Sequence, residues 1–193
     1  ERHHIFPGNP NRKNSEKYGF VIPLRPDLHP NGTQAGKNAA EMDLKLKQMA
    51  QEYFDDKFSY GIDFLKGANF YYQNDNFQIS AFMLHQAAEN FIKTIPLAYI
   101  LYGYKEHDLD FLIKKCKPFT LELAKVFPRD TPEEERLFKL LQRAYIEARY
   151  NKKNFIVTKA DIDALISKIE LLRDITEKVC RDRIAFYDSA SRK

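Results

Sequence analysis

Tryptophan is absent from the 193 residues, methionine occurs three times, glycine seven times and cysteine twice. Cys116 and Cys180 have no second thiol at the spacing of a metal knuckle, and two thiols in a chain of this length make no disulfide scaffold. Both are expected to be packing thiols. No apolar run approaches the roughly 20 residues that span a bilayer, and the opening ERHHIFPGNPNRK lacks the apolar stretch of a signal peptide. The expectation is a cytoplasmic protein with no membrane role. A strong charge of one sign is missing too, since 31 Lys and Arg stand against 27 Asp and Glu. The resulting +4 permits contact with nucleic acid or nucleotide phosphates but falls short of a dedicated basic protein. What is present is a globular composition, rich in Leu, Ile, Phe and Tyr, in a chain long enough to bury a sizeable core.

Composition divides the chain near Lys37. Five of the nine prolines, four of the seven glycines and three of the five histidines lie in residues 1–36. The spacing predicts a Pro/Gly/His-rich segment over 1–38, a helical domain over 39–188 and a short tail over 189–193. Within the first segment YGFVIPL at 18–24 is the one plausible strand, short and ended by Pro23, and the turn-forming series RPDLHPNG follows it. The first residue is Glu1 and not methionine, which leaves open what precedes it.

From Ala39 the apolar residues recur at helical spacing. Leu44, Leu46, Met49, Tyr53, Phe54, Phe58, Ile62, Leu65 and Phe70 predict one long helix, or two broken near Gly61, with QNDN at 73–76 as its end. The next helix begins near Phe77, carries Ala81, Leu84, Ala88, Phe91 and Ile92 on one face, and is expected to kink or stop at Pro96, with a short segment reaching Tyr102. Asp108 caps LDFLIKKC. Thr131, followed by Pro132 and three glutamates, is a strong helix start for the stripe Leu137, Leu140, Leu141, Ala144, Tyr145 and Ala148. Thr158 with Asp161 opens a last helix that buries Ile162, Leu165, Ile166, Ile169, Leu172 and Val179. The fold class is therefore all-α: an antiparallel up-and-down bundle of about five helices with an irregular N-terminal appendage.

Four blocks in order, AFMLHQAAENFIKTI at 81–95, HDLDFLIKKC at 107–116, FPRDTPEEERLFKLLQRAYIEARY at 127–150 and VTKADIDALISKIELLRDI at 157–175, resemble the HEPN domain. The likeness covers about residues 46–185 and is strongest to the kind associated with a nucleotidyltransferase. It implies an up-and-down bundle, homodimerisation through helix faces, and binding of nucleotide or RNA, in some members with RNA cleavage. It also implies a nucleotidyltransferase partner, in toxin–antitoxin or stress systems.

The ribonucleases of that family carry arginine, four to six intervening residues and then histidine, which provide a cation for the phosphorane and an acid/base near neutrality. Counted from Arg149, those positions hold Asn154, Phe155 and Ile156, none of which moves a proton. The resemblance thus implies binding without RNA cleavage through this motif; the alternatives are a nuclease and a homodimerisation scaffold. Arg149 reads either as an ion-pair partner of an acid near Glu147 or Glu89, or as a phosphate contact. His85 and Glu89 lie four apart on one helix face, with Gln86 and Lys93 alongside. One reading makes His85 a half-buried packing residue bonded to Glu89. The other makes Gln86, Glu89, Lys93 and Arg149 the polar lining of a nucleotide-binding groove. His107 and Tyr150 complete the candidate nucleotide- or RNA-binding set, with a structural role in the loop and core packing as their respective alternatives.

The start of the chain, with His29 and Asn31 downstream, resembles an HNH-type nuclease segment. In that likeness His4 is the base, His29 a metal ligand and Asn31 an orienting residue, so a divalent metal is implied only if the segment is an active nuclease. Lys37 stands where the last metal-binding histidine belongs and Arg25 where a zinc cysteine belongs, so the ligand set is incomplete.

Overall fold

The computed structural model describes residues 2–4, 21–23, 39–151 and 153–190. Two three-residue strands, β1 (Arg2–His4) and β2 (Val21–Pro23), pair antiparallel with His3 opposite Ile22. The strand anticipated around residues 18–24 is present as β2; its partner β1 carries no alternation that would reveal it. Among the described residues six helices follow: α1 (Ala39–Gln73), α2 (Phe77–Ile100), α3 (Leu109–Cys116), α4 (Leu123–Val126), α5 (Pro132–Tyr150) and α6 (Lys159–Ala190). The bundle is helical as its periodicity requires, and the helix not anticipated, α4, is a single turn too short to show a period.

Local capping chemistry sets most of the boundaries. Asn76 accepts from the Ile79 amide to start α2, and Asp108 accepts from the Phe111 amide at 2.8 Å to start α3. Thr131 and Glu134 close a reciprocal capping box at α5, with Pro132 in its first turn. Thr158 and Asp161 do the same at α6. Asp161 is buried and also receives Arg136 of α5, so one carboxylate joins the starts of two helices.

Helix α2 lies at the centre, packed on α1, α3, α5 and α6. That position explains why its buried residues go round the whole helix and include Ser80, His85, Glu89, Asn90, Lys93 and Thr94. The polar ones are satisfied locally where they can be: Ser80 donates to the Ala68 carbonyl, Thr94 to that of Asn90, and Asn90 to that of Gln86.

Of the two alternatives for residues 39–73 the structure has the single long helix, and the expected stop at Pro96 is absent. Helix α1 continues through Gly61, where a Cβ would collide with the Phe91 ring of α2. Glycine marks close approach of α1 to α2, not a break. Helix α2 likewise continues through Pro96 to Ile100 and stops where Leu101 adopts φ 54°. Proline removes the donor that would meet the Ile92 carbonyl, and the Cys116 thiol of α3 fills that place at 3.4 Å. Both cysteines are free and buried, and burial pushes both thiols far above the usual range. Leu44, Tyr53 and Phe70, assigned to the apolar stripe of α1, are exposed, whereas Ala50, Phe54, Leu65 and Ala68 form the buried face.

Candidate functional site

The face of α2 that carries residues 85, 86, 89 and 93 meets α5 and the loop between α2 and α3. The loop is pinned at its far end, where Asp108 caps α3 and the Leu109 amide donates to Gln142 Oε1 of α5 at 3.0 Å. His107, the residue before that cap, is thereby held over α2. Its Nδ1 lies 3.0 Å from both carboxylate oxygens of Glu89. Lys93 donates to Glu89 Oε1 at 2.8 Å, and Gln86 to Oε2 at 3.3 Å. Glu89 is 5% exposed, so burial by itself would raise its carboxyl; the hydrogen bonds from Lys93 and His107 outweigh that and hold it below the usual range.

One aromatic ring joins this cluster to the end of α5. Tyr145 lies between the two elements, with the His107 ring stacked on it at 4.6 Å and 16°, and the His85 ring at 5.1 Å. Four residues on, one helical turn away, the Arg149 guanidinium lies 4.4 Å from the same ring centre and 5.2 Å from those of Phe82 and Tyr150. Arg149 Nε donates to the Tyr145 carbonyl at 2.7 Å. The anticipated ion pair to an acid is not what holds it: Glu147 is taken by a bidentate Arg143, and Glu89 by Lys93 and His107. Among the described residues Arg149 stands at the surface as a cation fixed by a carbonyl and by rings.

His85 is fully buried and not half-buried, and its Nδ1 is 3.9 Å from Glu89, beyond hydrogen-bond reach. Its Nδ1 lies 3.3 Å from the Gln86 amide nitrogen, and Nε2 has no hydrogen-bond partner within standard geometry among the described residues. Burial pushes this imidazole down to about 4; the nearby Glu89 charge offsets only part of that, and His107 and Arg149 add to the lowering. Near neutrality His85 is a neutral packing residue.

The residues singled out in sequence therefore fall into layers. Glu89 and Lys93 are buried beneath the surface, Gln86 is partly covered, and the His107 side chain is 48% exposed. Arg149 is exposed and Tyr150 is 77% exposed, which overturns core packing for Tyr150. Tyr145 and Gln142 are the residues that sequence reasoning missed as organisers. Their signal was a place on the α5 stripe one turn before Arg149. Of the positions after Arg149, Asn154 closes a turn with Asn151, Phe155 is core and Ile156 is exposed. His4 ends β1 opposite Val21, and His29 and Asn31 lie outside the described residues. Among the described residues no three His, Cys, Asp or Glu side chains gather to hold a metal, and no helix is long and apolar enough to cross a membrane.

No curated protein matches the chain. The family model of the HEPN domain matches residues 56–179, more than half of its length, and that span runs from the middle of α1 well into α6. A helical bundle packed round one buried helix, and a family match that reaches each of its described helices, lead to one conclusion: the chain belongs to the HEPN domain family.

Proposed function

We propose that this HEPN domain binds the phosphates of a nucleotide or RNA on the face where α5 ends, as a homodimer that associates with a nucleotidyltransferase. The observation that carries the reading is Arg149: an exposed guanidinium, held in place by the Tyr145 carbonyl and three aromatic rings and neutralised by no acid among the described residues. A planar fork of this kind suits phosphate, and the exposed ring of Tyr150 beside it suits an unpaired base. Gln86, Glu89, Lys93 and His107 support that face from beneath and beside it. The segment after Arg149 offers no proton shuttle, so the proposed role of that segment is binding and not cleavage. The nucleotidyltransferase and the dimer rest on the resemblance alone.

Titrating labelled single-stranded RNA and ATP into the protein at two salt concentrations tests the reading. Saturable binding is expected for at least one of them, and it weakens about tenfold between 50 and 200 mM salt if two or three cations engage the phosphates. Arg149→Ala weakens it further. Absence of saturable binding to both ligands removes the reading, and sizing of the protein alone and with a nucleotidyltransferase checks the dimer and the partner.

A further inference from the structure

We infer that the α2–α3 loop is a latch for the Arg149 site: with His107 hooked between Glu89 and Tyr145 the guanidinium is presented, and with His107 released it is not. The inference adds regulation to the phosphate-binding reading of Arg149 and rests on it. It requires no ligand common to the two side chains, only the tyrosine that both of them touch.

The loop is fastened at its ends and free between them. Leu101 closes α2 in the left-handed region at φ 54°, and Asp108 and Leu109 tie the far end to α3 and α5. Residues 102–107 make no backbone–backbone hydrogen bond among the described residues, so side chains alone hold them. At the near end those are rings: Tyr102 meets Tyr104 edge-on at 4.8 Å, and half-buried Tyr104 meets Phe111 of α3 at 6.0 Å. Lys105 and Glu106 are exposed. His107 reaches across to α2 and α5, through Nδ1 on the Glu89 carboxylate and through its ring on Tyr145. Glu89 cannot follow the imidazole outward, since it is buried and held by Lys93 and Gln86. One half-exposed side chain thus fastens an otherwise largely exposed segment, the kind that opens locally long before a bundle unfolds.

Arg149 depends on the same tyrosine. Tyr145 provides two of its supports, the carbonyl that accepts from Nε at 2.7 Å and the ring 4.4 Å from the guanidinium. The His107 imidazole lies parallel to that half-buried ring and forms one wall of the slot that fixes its rotamer. Withdrawing the wall frees the ring to turn, and the guanidinium loses its platform. The converse follows from linkage: a ligand that needs the guanidinium in place favours the latched loop by the same factor that latching favours the ligand.

The test is hydrogen exchange of the full chain, alone and with saturating ATP or labelled single-stranded RNA, read beside the Kd of each variant. Ligand is expected to slow exchange at residues 102–107 by about tenfold, and His107→Ala to speed it in the free protein and weaken binding by about the same factor. His107→Phe keeps a ring on Tyr145 without a bond to Glu89, and should fall between. Glu89→Gln leaves His107 in place yet weakens its hold, so a faster loop and weaker binding there separate latching from a direct contact of His107 with the ligand. His107 is half exposed, so its variants keep the core intact and remain informative if Glu89→Gln unfolds. Three results overturn the latch and leave the binding reading standing: ligand that binds without slowing the loop, a His107→Ala loop that is faster at unchanged affinity, or weaker binding with the free loop unaltered. Absence of binding to both ATP and RNA overturns the two together.

Discussion

At the scale of single residues, charge inside the bundle is tolerated because it is paired. Lys93 and His107 stabilise a carboxylate that burial alone would neutralise, and removing one of them leaves charge in a low-dielectric site. Lys93→Met is therefore expected to cost on the order of 3 kcal/mol in urea unfolding, far more than loss of an exposed pair such as Lys178 with Asp182. His85 gives a pH signature. Its imidazole stays neutral in the folded protein down to about pH 4 but takes a proton in the unfolded chain below about 6.5. The unfolded state then binds more protons, so stability falls as pH drops from about 6.5 towards 4, by up to roughly 3 kcal/mol. The depressed carboxyls, Glu89, Asp110 and Asp161, act in a lower window, where they too take protons. Unfolding followed between pH 7 and 5 should show the slope, and His85→Gln should flatten it.

At the scale of elements, the departures from sequence expectation are places where a neighbouring helix supplies what the local chain lacks. Pro96 leaves the Ile92 carbonyl without its helical donor, and Cys116 of α3 provides one. Cys116→Ala should lower stability by about 1 to 2 kcal/mol, and Cys116→Ser, which retains a donor, should lose less; thermal unfolding compares the two. Gly61 makes the same point for packing, since a methyl group there would strike Phe91 on the adjacent helix. Gly61→Ala should destabilise by about 2 kcal/mol despite its better helix propensity. A smaller partner, Phe91→Leu, should recover part of that loss in the double variant.

At the scale of the whole molecule, α2 is the hub on which α1, α3, α5 and α6 pack, and its amides are shielded on every side. Hydrogen exchange should be slowest in α2 and fastest in the first turns of α1, where Leu44 and its neighbours face solvent. Equal protection across all the helices would contradict a single central helix. The same arrangement builds the candidate site. A helix buried on all faces must satisfy its polar residues from adjacent elements, and Glu89 does so through a residue of the α2–α3 loop that reaches the surface.

Much of the fold was legible along the chain, because caps act over three residues and apolar stripes over one turn. Asn76, Asp108, Thr131 with Glu134, and Thr158 with Asp161 mark helix starts through hydrogen bonds that need no distant partner. The candidate site was legible only as a set of residues. Gln86, Glu89 and Lys93 share a face by helical spacing alone, but nothing local brings His107 onto Glu89, places Tyr145 beneath its ring, or exposes Tyr150. The sequence by itself determined that the chain forms a helical bundle and where most of its helices begin. Tertiary structure alone decided that α1 passes Gly61 and α2 passes Pro96 unbroken, and that an imidazole and a guanidinium from separate elements share one tyrosine. The reason is range: turns and caps are energies between near neighbours, whereas a buried carboxylate or an orphaned carbonyl is satisfied by whatever the packing of the whole bundle brings to it.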